Sequence, residues 1–384
     1  MITGWQVRWH MFRLWFRIGW VVYREAKGAL KAVQVIKALY RQKKAHISPG
    51  AIPKLAKVDG RVFFNMNAPG FPSPAFDQFF RHTTRKLLNP EAVHPESARF
   101  VMLSVTKKCP MRCEHCFEWD ELNREETLTP DHLQRIVRKY QLMGTSQFLL
   151  SGGEPMVRFN DMISLLKSAD KISDFWMTTS AFNLTLDKAK QLKAAGLTGV
   201  AISLDHYDEQ EHNNFRGHHR AFRYAIEGAQ NAQDAGLVVG FSVCTVRSFC
   251  TPGHLLRYAE LARDLGVPFI HLLEPRALGR YAGKDVELGP EQYEVLDTFY
   301  EEANSGGTYR DLPWIIHTSY NQRKYGCLSA GLDNIMIDTD GHINACPFCR
   351  SKGKYALDEK SGVGLNEIRQ RGCHKFKMRS SPTL

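Results

Sequence analysis

Cys109, Cys113 and Cys116 fall within the eight residues CPMRCEHC, directly after the apolar run FVMLSV at 100–105. Thiolates are soft ligands, suited to zinc and to iron–sulfur clusters. A tetrahedral zinc site needs a fourth donor, which His115 or a distant cysteine would supply. A second reading leaves the three as unbonded core cysteines, behaving as small hydrophobes. Neither reading explains the Cys-x3-Cys-x2-Cys spacing together with the motif that follows the next apolar run. That motif lies in LLSGGEPMVR, residues 149–158. Its Gly152 and Gly153 permit close backbone approach to a ligand, and Glu154 offers a carboxylate at the same mouth.

The elements around these motifs alternate. After FVMLSV come a helical pattern at 129–144 with Thr129 as N-cap and Gly144 as C-cap, then QFLLS (147–151) and a helix near 159–169. DFWMTTS (174–180), a helix near 185–195, GVAISL (199–204), LVVGFSVCTV (237–246), a helix near 253–265 and PFIHLL (268–273) continue the series. Six strand–helix units predict an α/β fold with a parallel sheet, because each helix must carry the chain back over the sheet. Such units curl into a partial (β/α)6, TIM-like barrel whose C-terminal strand ends form the site. The cysteines and the glycine pair both sit in loops at that face.

CPMRCEHC resembles the cluster motif of the radical S-adenosylmethionine (SAM) superfamily, and SGGEP resembles its motif for the SAM amino group. The resemblance spans about residues 100–275. One departure is His115, where many members carry an aromatic residue. The resemblance explains the count of three: three thiolates leave one iron of a [4Fe–4S] cluster without a protein ligand. In the family SAM chelates that iron and is reductively cleaved, and the resulting 5′-deoxyadenosyl radical abstracts hydrogen from an unreactive C–H bond. The resemblance assigns Gly152, Gly153, Glu154 and Pro155 to SAM binding. ISLDHYDEQEHNNFRG (202–217) adds Ser203, Asp205 and Arg216, the last as partner of the SAM carboxylate. Ordinary strand-end and ion-pair roles compete for these three. EPRALGRYAG (274–283) offers Glu274 and Arg276 as further candidates.

A second cysteine set closes the chain. Cys327-x13-Gly341-x4-Cys346-x2-Cys349 is followed by Cys373, and DTDG at 338–341 predicts a tight turn bringing Cys327 near Cys346. This resembles the SPASM/twitch extension of radical SAM enzymes. Cysteines for a further cluster are missing, which implies a shortened, twitch-like module with one auxiliary [4Fe–4S] cluster held by all four thiols. Structural zinc is the competing reading. A saturated cluster would transfer electrons or brace the module. The remaining pair, Cys244 and Cys250, reads as buried small hydrophobes.

The net charge of +11 is uneven. Residues 1–50 carry five Arg and five Lys against Glu25 alone, hence +9, together with four of the seven Trp. The pattern over about 1–46 is helical, with Arg13, Arg17, Arg24 and Lys31 on one stripe and apolar residues over much of the rest. Packing on the barrel, docking on an anionic membrane surface and nucleic-acid binding compete for this arm; a long apolar face disfavours the last. SPG (48–50) and NAPGFPSPAF (67–76) punctuate an irregular linker. The apolar stretch Ile18–Tyr23 is shorter than a signal or membrane span, so a cytoplasmic location is expected, with membrane association at the inner surface through the arm.

The expected organisation is an arm and linker over 1–98, a radical SAM core over 99–285, and a linker helix with the auxiliary module over 286–384. Peptide modification is the leading expectation, by analogy with SPASM-type enzymes. Modification of a small metabolite or membrane lipid is the alternative. A flavodoxin or ferredoxin is the expected electron donor. A non-catalytic iron–sulfur carrier or a zinc module would leave the GGEP loop unexplained. No residue is assigned as a general acid or base.

Overall fold

The computed structural model describes residues 2, 5–46, 54–89, 97–305, 307–327, 333–350, 353–358, 367, 370, 372–373 and 375–378. The arm is a pair of helices, α1 (Trp5–Ala26) and α2 (Ala29–His46), broken where Lys27 adopts a φ of 50° beside Gly28. A short hairpin follows, β1 (Ala56–Val58) and β2 (Arg61–Phe63), then α3 (Pro74–Leu88). The predicted irregular linker thus contains a helix. Ser73 caps it by accepting a hydrogen bond from Phe76 N at 3.0 Å, and Pro74 starts it where no N–H is needed.

The alternating region then runs β3 (Phe100–Thr106), α4 (Pro130–Leu142), β4 (Gln147–Gly152), α5 (Phe159–Ser168), β5 (Asp174–Thr179), α6 (Leu186–Ala195) and β6 (Leu197–Ser203). It continues with α7 (Glu209–Arg216), α8 (Ala221–Asp234), β7 (Val238–Cys244), α9 (Pro252–Asp264) and β8 (Phe269–Leu273). Thr129, Thr185 and Thr251 each cap a helix through their side chains, as the first does in the sequence reading. Every residue of β6 and β7 is buried, as expected of strands covered on both faces.

The six predicted strands lie side by side and parallel, and the sheet runs further at both edges. Beyond α10 (Pro290–Ser305), β9 (Trp314–His317) pairs with β8. After α11 (Thr318–Tyr325), β10 (Asn334–Ile337) pairs parallel with β3, and β11 (Ile343–Asn344) turns back antiparallel on it. The order β11-β10-β3-β4-β5-β6-β7-β8-β9 is open, a partial TIM-like barrel. The predicted turn at 338–341 joins β10 to β11, with Gly341 at a φ of 85°.

Helices pack on one face of the sheet through residues such as Tyr140, Leu165, Leu192, Ala229 and Tyr258. The other face carries Trp176, Ala201, Val238 and Phe269, covered by Phe63 and Met66. Because all eight barrel strands run parallel, the loops after β3, β4, β5, β6, β7 and β8 meet at one end.

Candidate functional site

The loop after β3 holds Cys109, Cys113 and Cys116 in one small apolar cluster with Met111, Ala221, Phe182 and Tyr224. Three other segments clasp this loop through its backbone. From β4, Gly153 N donates to Thr106 O at 2.7 Å and Glu154 N to Lys108 O at 2.8 Å. From the end of α7, Arg216 O and Phe215 O accept from Arg112 N and Glu114 N, each at 2.9 Å. From the segment after β8, Arg280 N donates to Cys116 O at 3.0 Å and its guanidinium to Cys113 O at 3.3 Å. Asn123 completes the clasp, accepting from Cys109 N at 3.0 Å and donating to Cys109 O at 3.2 Å.

The glycines of SGGEP serve this clasp. A Cβ on Gly152, whose φ is 119°, would stand 2.5 Å from Thr106 O; one on Gly153 would stand 2.3 Å from Lys108 O. What they approach closely is the cysteine loop itself. Glu154 is also turned inward. Its Oε1 accepts from Met156 N (3.0 Å) and Thr179 Oγ1 (2.6 Å), its Oε2 from Ser180 N (2.7 Å) and Ser180 Oγ (2.6 Å). Burial raises its pKa despite the four donors. The carboxylate therefore ties the end of β5 to the loop after β4, and Pro155 begins a short turn directly behind it, with Pro155 and Met156 buried.

Asp205 and Arg216 form a buried pair after β6, Nε to Oδ2 at 2.5 Å. Asp205 Oδ1 also accepts from Cys244 N at 2.8 Å, and Arg216 Nη1 stands 3.5 Å from Cys113 Sγ. Although burial opposes it, the Asp205 carboxylate holds the guanidinium above the ordinary arginine range. Ser203 is buried at the end of β6. His115 stacks on Phe215 with ring centroids 4.9 Å apart, and burial pulls its pKa down to about 4. Glu274 meets His317 Nε2 at 3.1 Å and pairs with Arg323, while Arg276 reaches it at 3.4 Å; this cluster binds β8 to β9 and α11.

The thiols fit a cluster that takes them as thiolates. Burial pushes the Cys113 and Cys109 thiols up, and Cys116 to about 12. Burial thus favours the neutral thiols, and a cationic centre would favour the thiolates. Arg216 adds positive charge at Cys113. Among the described residues no three His, Cys, Asp or Glu side chains converge at metal-ligating spacing, so the thiols share a pocket rather than a common centre.

The second set also gathers. Cys349 Sγ lies 4.0 Å from Cys373 Sγ, and Cys346 and Cys349 bridge one another through their backbones. A hydrogen bond from Cys349 draws the Cys346 thiol down, while Cys327 acts on it electrostatically in the opposite sense. Arg350, next to Cys349, pairs with buried Glu118 at 2.9 Å and lies over the ring of Phe117, the residue after Cys116. The C-terminal segment is therefore docked beside the first cysteine loop, with Lys107 to Asp340 at 2.6 Å as a second tie.

Sequence reasoning did not find Asn123, Arg280, Thr179 or Ser180. Gly279 and Arg280 lie within the quoted stretch 274–283, and a glycine–arginine pair after a strand was the available signal. A Cβ at Gly279 would stand 2.3 Å from Cys116 O.

A family model described as the Radical SAM superfamily matches residues 103–270. Among solved structures, SuiB of Streptococcus suis bound to precursor peptide SuiA is similar with a TM-score of 0.61 at 15% identity, over 79% of this chain and 73% of that one. The same protein bound to S-adenosylmethionine has a TM-score of 0.58 at 15% identity, over 76% and 73%. Native anSMEcpe with bound AdoMet has a TM-score of 0.55 at 14% identity, over 71% and 82%. At these identities the structures show a shared fold.

Proposed function

We propose that this chain is a radical SAM, S-adenosylmethionine-dependent enzyme that modifies a peptide at an unreactive C–H position. The observation that carries the reading is the partly buried three-thiol pocket at the strand ends, clasped by the loop after β4 and faced by Arg216. Cys109, Cys113 and Cys116 would hold the [4Fe–4S] cluster, and the loop after β4 would hold SAM beside it. Bound there, the pair supplies one-electron, hydrogen-abstracting chemistry that no side chain offers. The chain's part is to hold, orient and exclude water. Arg216 balances thiolate charge at Cys113, with Asp205 keeping it in place. Gly152, Gly153 and Pro155 shape the SAM-side loop, Glu154 braces it from behind, and Ser203 lines the β6 end.

Two facts about similar proteins support a peptide substrate. SuiB has been solved with a precursor peptide, and anSMEcpe with AdoMet and the Cp18Cys peptide. Cys327, Cys346, Cys349 and Cys373 are assigned to one auxiliary [4Fe–4S] cluster, consistent with their gathering around Cys346 and Cys349. An external one-electron donor such as flavodoxin or ferredoxin reduces the enzyme, and residues 1–46 make a peripheral membrane contact.

The test is anaerobic. Reconstituted enzyme with dithionite and SAM is expected to release 5′-deoxyadenosine, and Cys113→Ala to abolish that release. Peptide and small-metabolite fractions from deuterium-labelled cells are then supplied separately. Deuterium entering 5′-deoxyadenosine from the metabolite fraction alone would sink the peptide assignment.

A further inference from the structure

The six side chains Trp5, Trp9, Phe12, Phe16, Trp20 and Tyr23 recur at intervals of three and four along α1. At 100° per residue they fall within an arc of about 80°, a ridge about 27 Å long. The opposite face, with Val7, Leu14, Ile18, Val21 and Val22, is at most 8% exposed and packs on α2, α3 and the start of the hairpin. The ridge itself points away from the protein: Trp5 is 75% exposed, Phe12 64% and Phe16 72%. Leu30, Val33 and Tyr40 on α2 are exposed as well. Among the described residues, nine of the twelve large exposed apolar side chains lie between 5 and 40. So dense a patch marks an interaction surface.

The charge around it has one sign. Arg8, Arg13 and Arg24 on α1, Lys27 at the break, and Lys31 and Lys37 on α2 are exposed. The only acid, Glu25, is paired with Arg85 at 2.5 Å. Arg17 and Arg24 stack over the Trp20 ring, 4.2 and 4.8 Å from its centroid. We propose that this aromatic ridge with its basic flanks docks the enzyme on the surface of an anionic phospholipid bilayer. The helix lies in the plane of the interface, its rings among the headgroups and its cations on phosphates. Tryptophan and tyrosine suit that boundary because each joins an apolar body to a polar tip. A second copy of this chain fits the ridge poorly, since pairing would bring two arms of +9 together. Among the described residues no helix is long and apolar enough to cross the membrane.

This deepens the peripheral-contact reading above, and its test needs no SAM, so its failure is separable from failure of the peptide assignment. Full-length enzyme is sedimented with vesicles of phosphatidylcholine alone or mixed with phosphatidylglycerol. Retention is expected on the mixed vesicles at low salt, falling with added salt and at least tenfold weaker on phosphatidylcholine. Phe12→Ser with Phe16→Ser is expected to cut retention at least tenfold while leaving the unfolding temperature and 5′-deoxyadenosine release unchanged. Arg8→Gln with Arg13→Gln is expected to weaken the preference for the anionic vesicles. Wild-type protein left in the supernatant, or retained equally on both compositions, would overturn the proposal. So would light scattering that finds a dimer which Phe12→Ser with Phe16→Ser converts to monomer.

Discussion

At Gly153 the space for a side chain is set by another segment's backbone. A Cβ there would stand 2.3 Å from Lys108 O and 3.2 Å from Cys109 Cβ, and neither can retreat without moving the cysteine loop. Gly153→Ala is therefore expected to displace Cys109 and lower iron and sulfide per chain after reconstitution to less than half. A wild-type iron content would refute this account of the motif. Glu154 makes the complementary case. Four donors converge on its oxygens, so the amide in Glu154→Gln must turn its NH2 toward N–H or O–H donors. Losing charge-assisted bonds in a buried site costs about 1.5–3 kcal/mol. Thermal unfolding of the cluster-free protein should show that loss, and an unchanged midpoint would argue against the bracing role. The motif was legible in sequence because its residue types are unusual together. Its partners were not, since Lys108 O, Thr179 and Ser180 offer generic groups brought near only by the sheet.

The same contrast holds for whole elements. Strands β3 to β8 were legible because buried parallel strands are short apolar runs, and capped helices separate them. Helix α3 was hidden by the prolines around it, although Ser73-Pro74 is itself a helix start. The outward face of α1 was also illegible, because apolar residues on both sides of a helix, aromatic on one and aliphatic on the other, do not say which side is covered. Where α3 meets the segment before β3, His82 is buried, its Nδ1 3.1 Å from Ser97 Oγ and its Nε2 without a partner among the described residues. Burial, reinforced by Arg99, pulls it from 6.5 down to about 3. The unfolded chain takes up a proton below 6.5 that the folded chain refuses until about 3, so stability is lost as pH falls through that window. From pH 7 to 5 this linkage amounts to about 2 kcal/mol. Urea unfolding at the two pH values should show it, and His82→Gln, which keeps a polar group but cannot take the proton, should be flatter by a similar amount. An equal slope in the variant would place the acid sensitivity elsewhere.

Across the molecule, the first and last parts of the barrel are joined at β3, which pairs with β4 on one side and β10 on the other. That placement puts the second cysteine set beside the first, an outcome sequence spacing could not reveal because nothing local marks β10 as a neighbour of β3. The tie that holds it is Glu118 with Arg350. The carboxylate is 3% exposed and the guanidinium 30%, Ser104 Oγ contributes at 3.3 Å, and Glu118 Oε2 has no hydrogen-bond partner among the described residues. Removing Arg350 leaves a buried carboxylate whose desolvation the Ser104 hydroxyl offsets only in part. Removing both charges together relieves that cost. Because Arg350 is partly in water, Arg350→Met is expected to cost about 1–3 kcal/mol rather than the full figure for a sealed pair. Glu118→Gln with Arg350→Met should then recover at least half of it, giving a clear coupling energy in a double-mutant cycle read by denaturant unfolding. Limited proteolysis supplies the spatial readout: Arg350→Met alone should expose cleavage after β11 while β3 to β8 stay resistant. Strictly additive energies with an unchanged digest would mean that the two cysteine sets are held together by the β10–β3 pairing and Lys107–Asp340, without this ion pair.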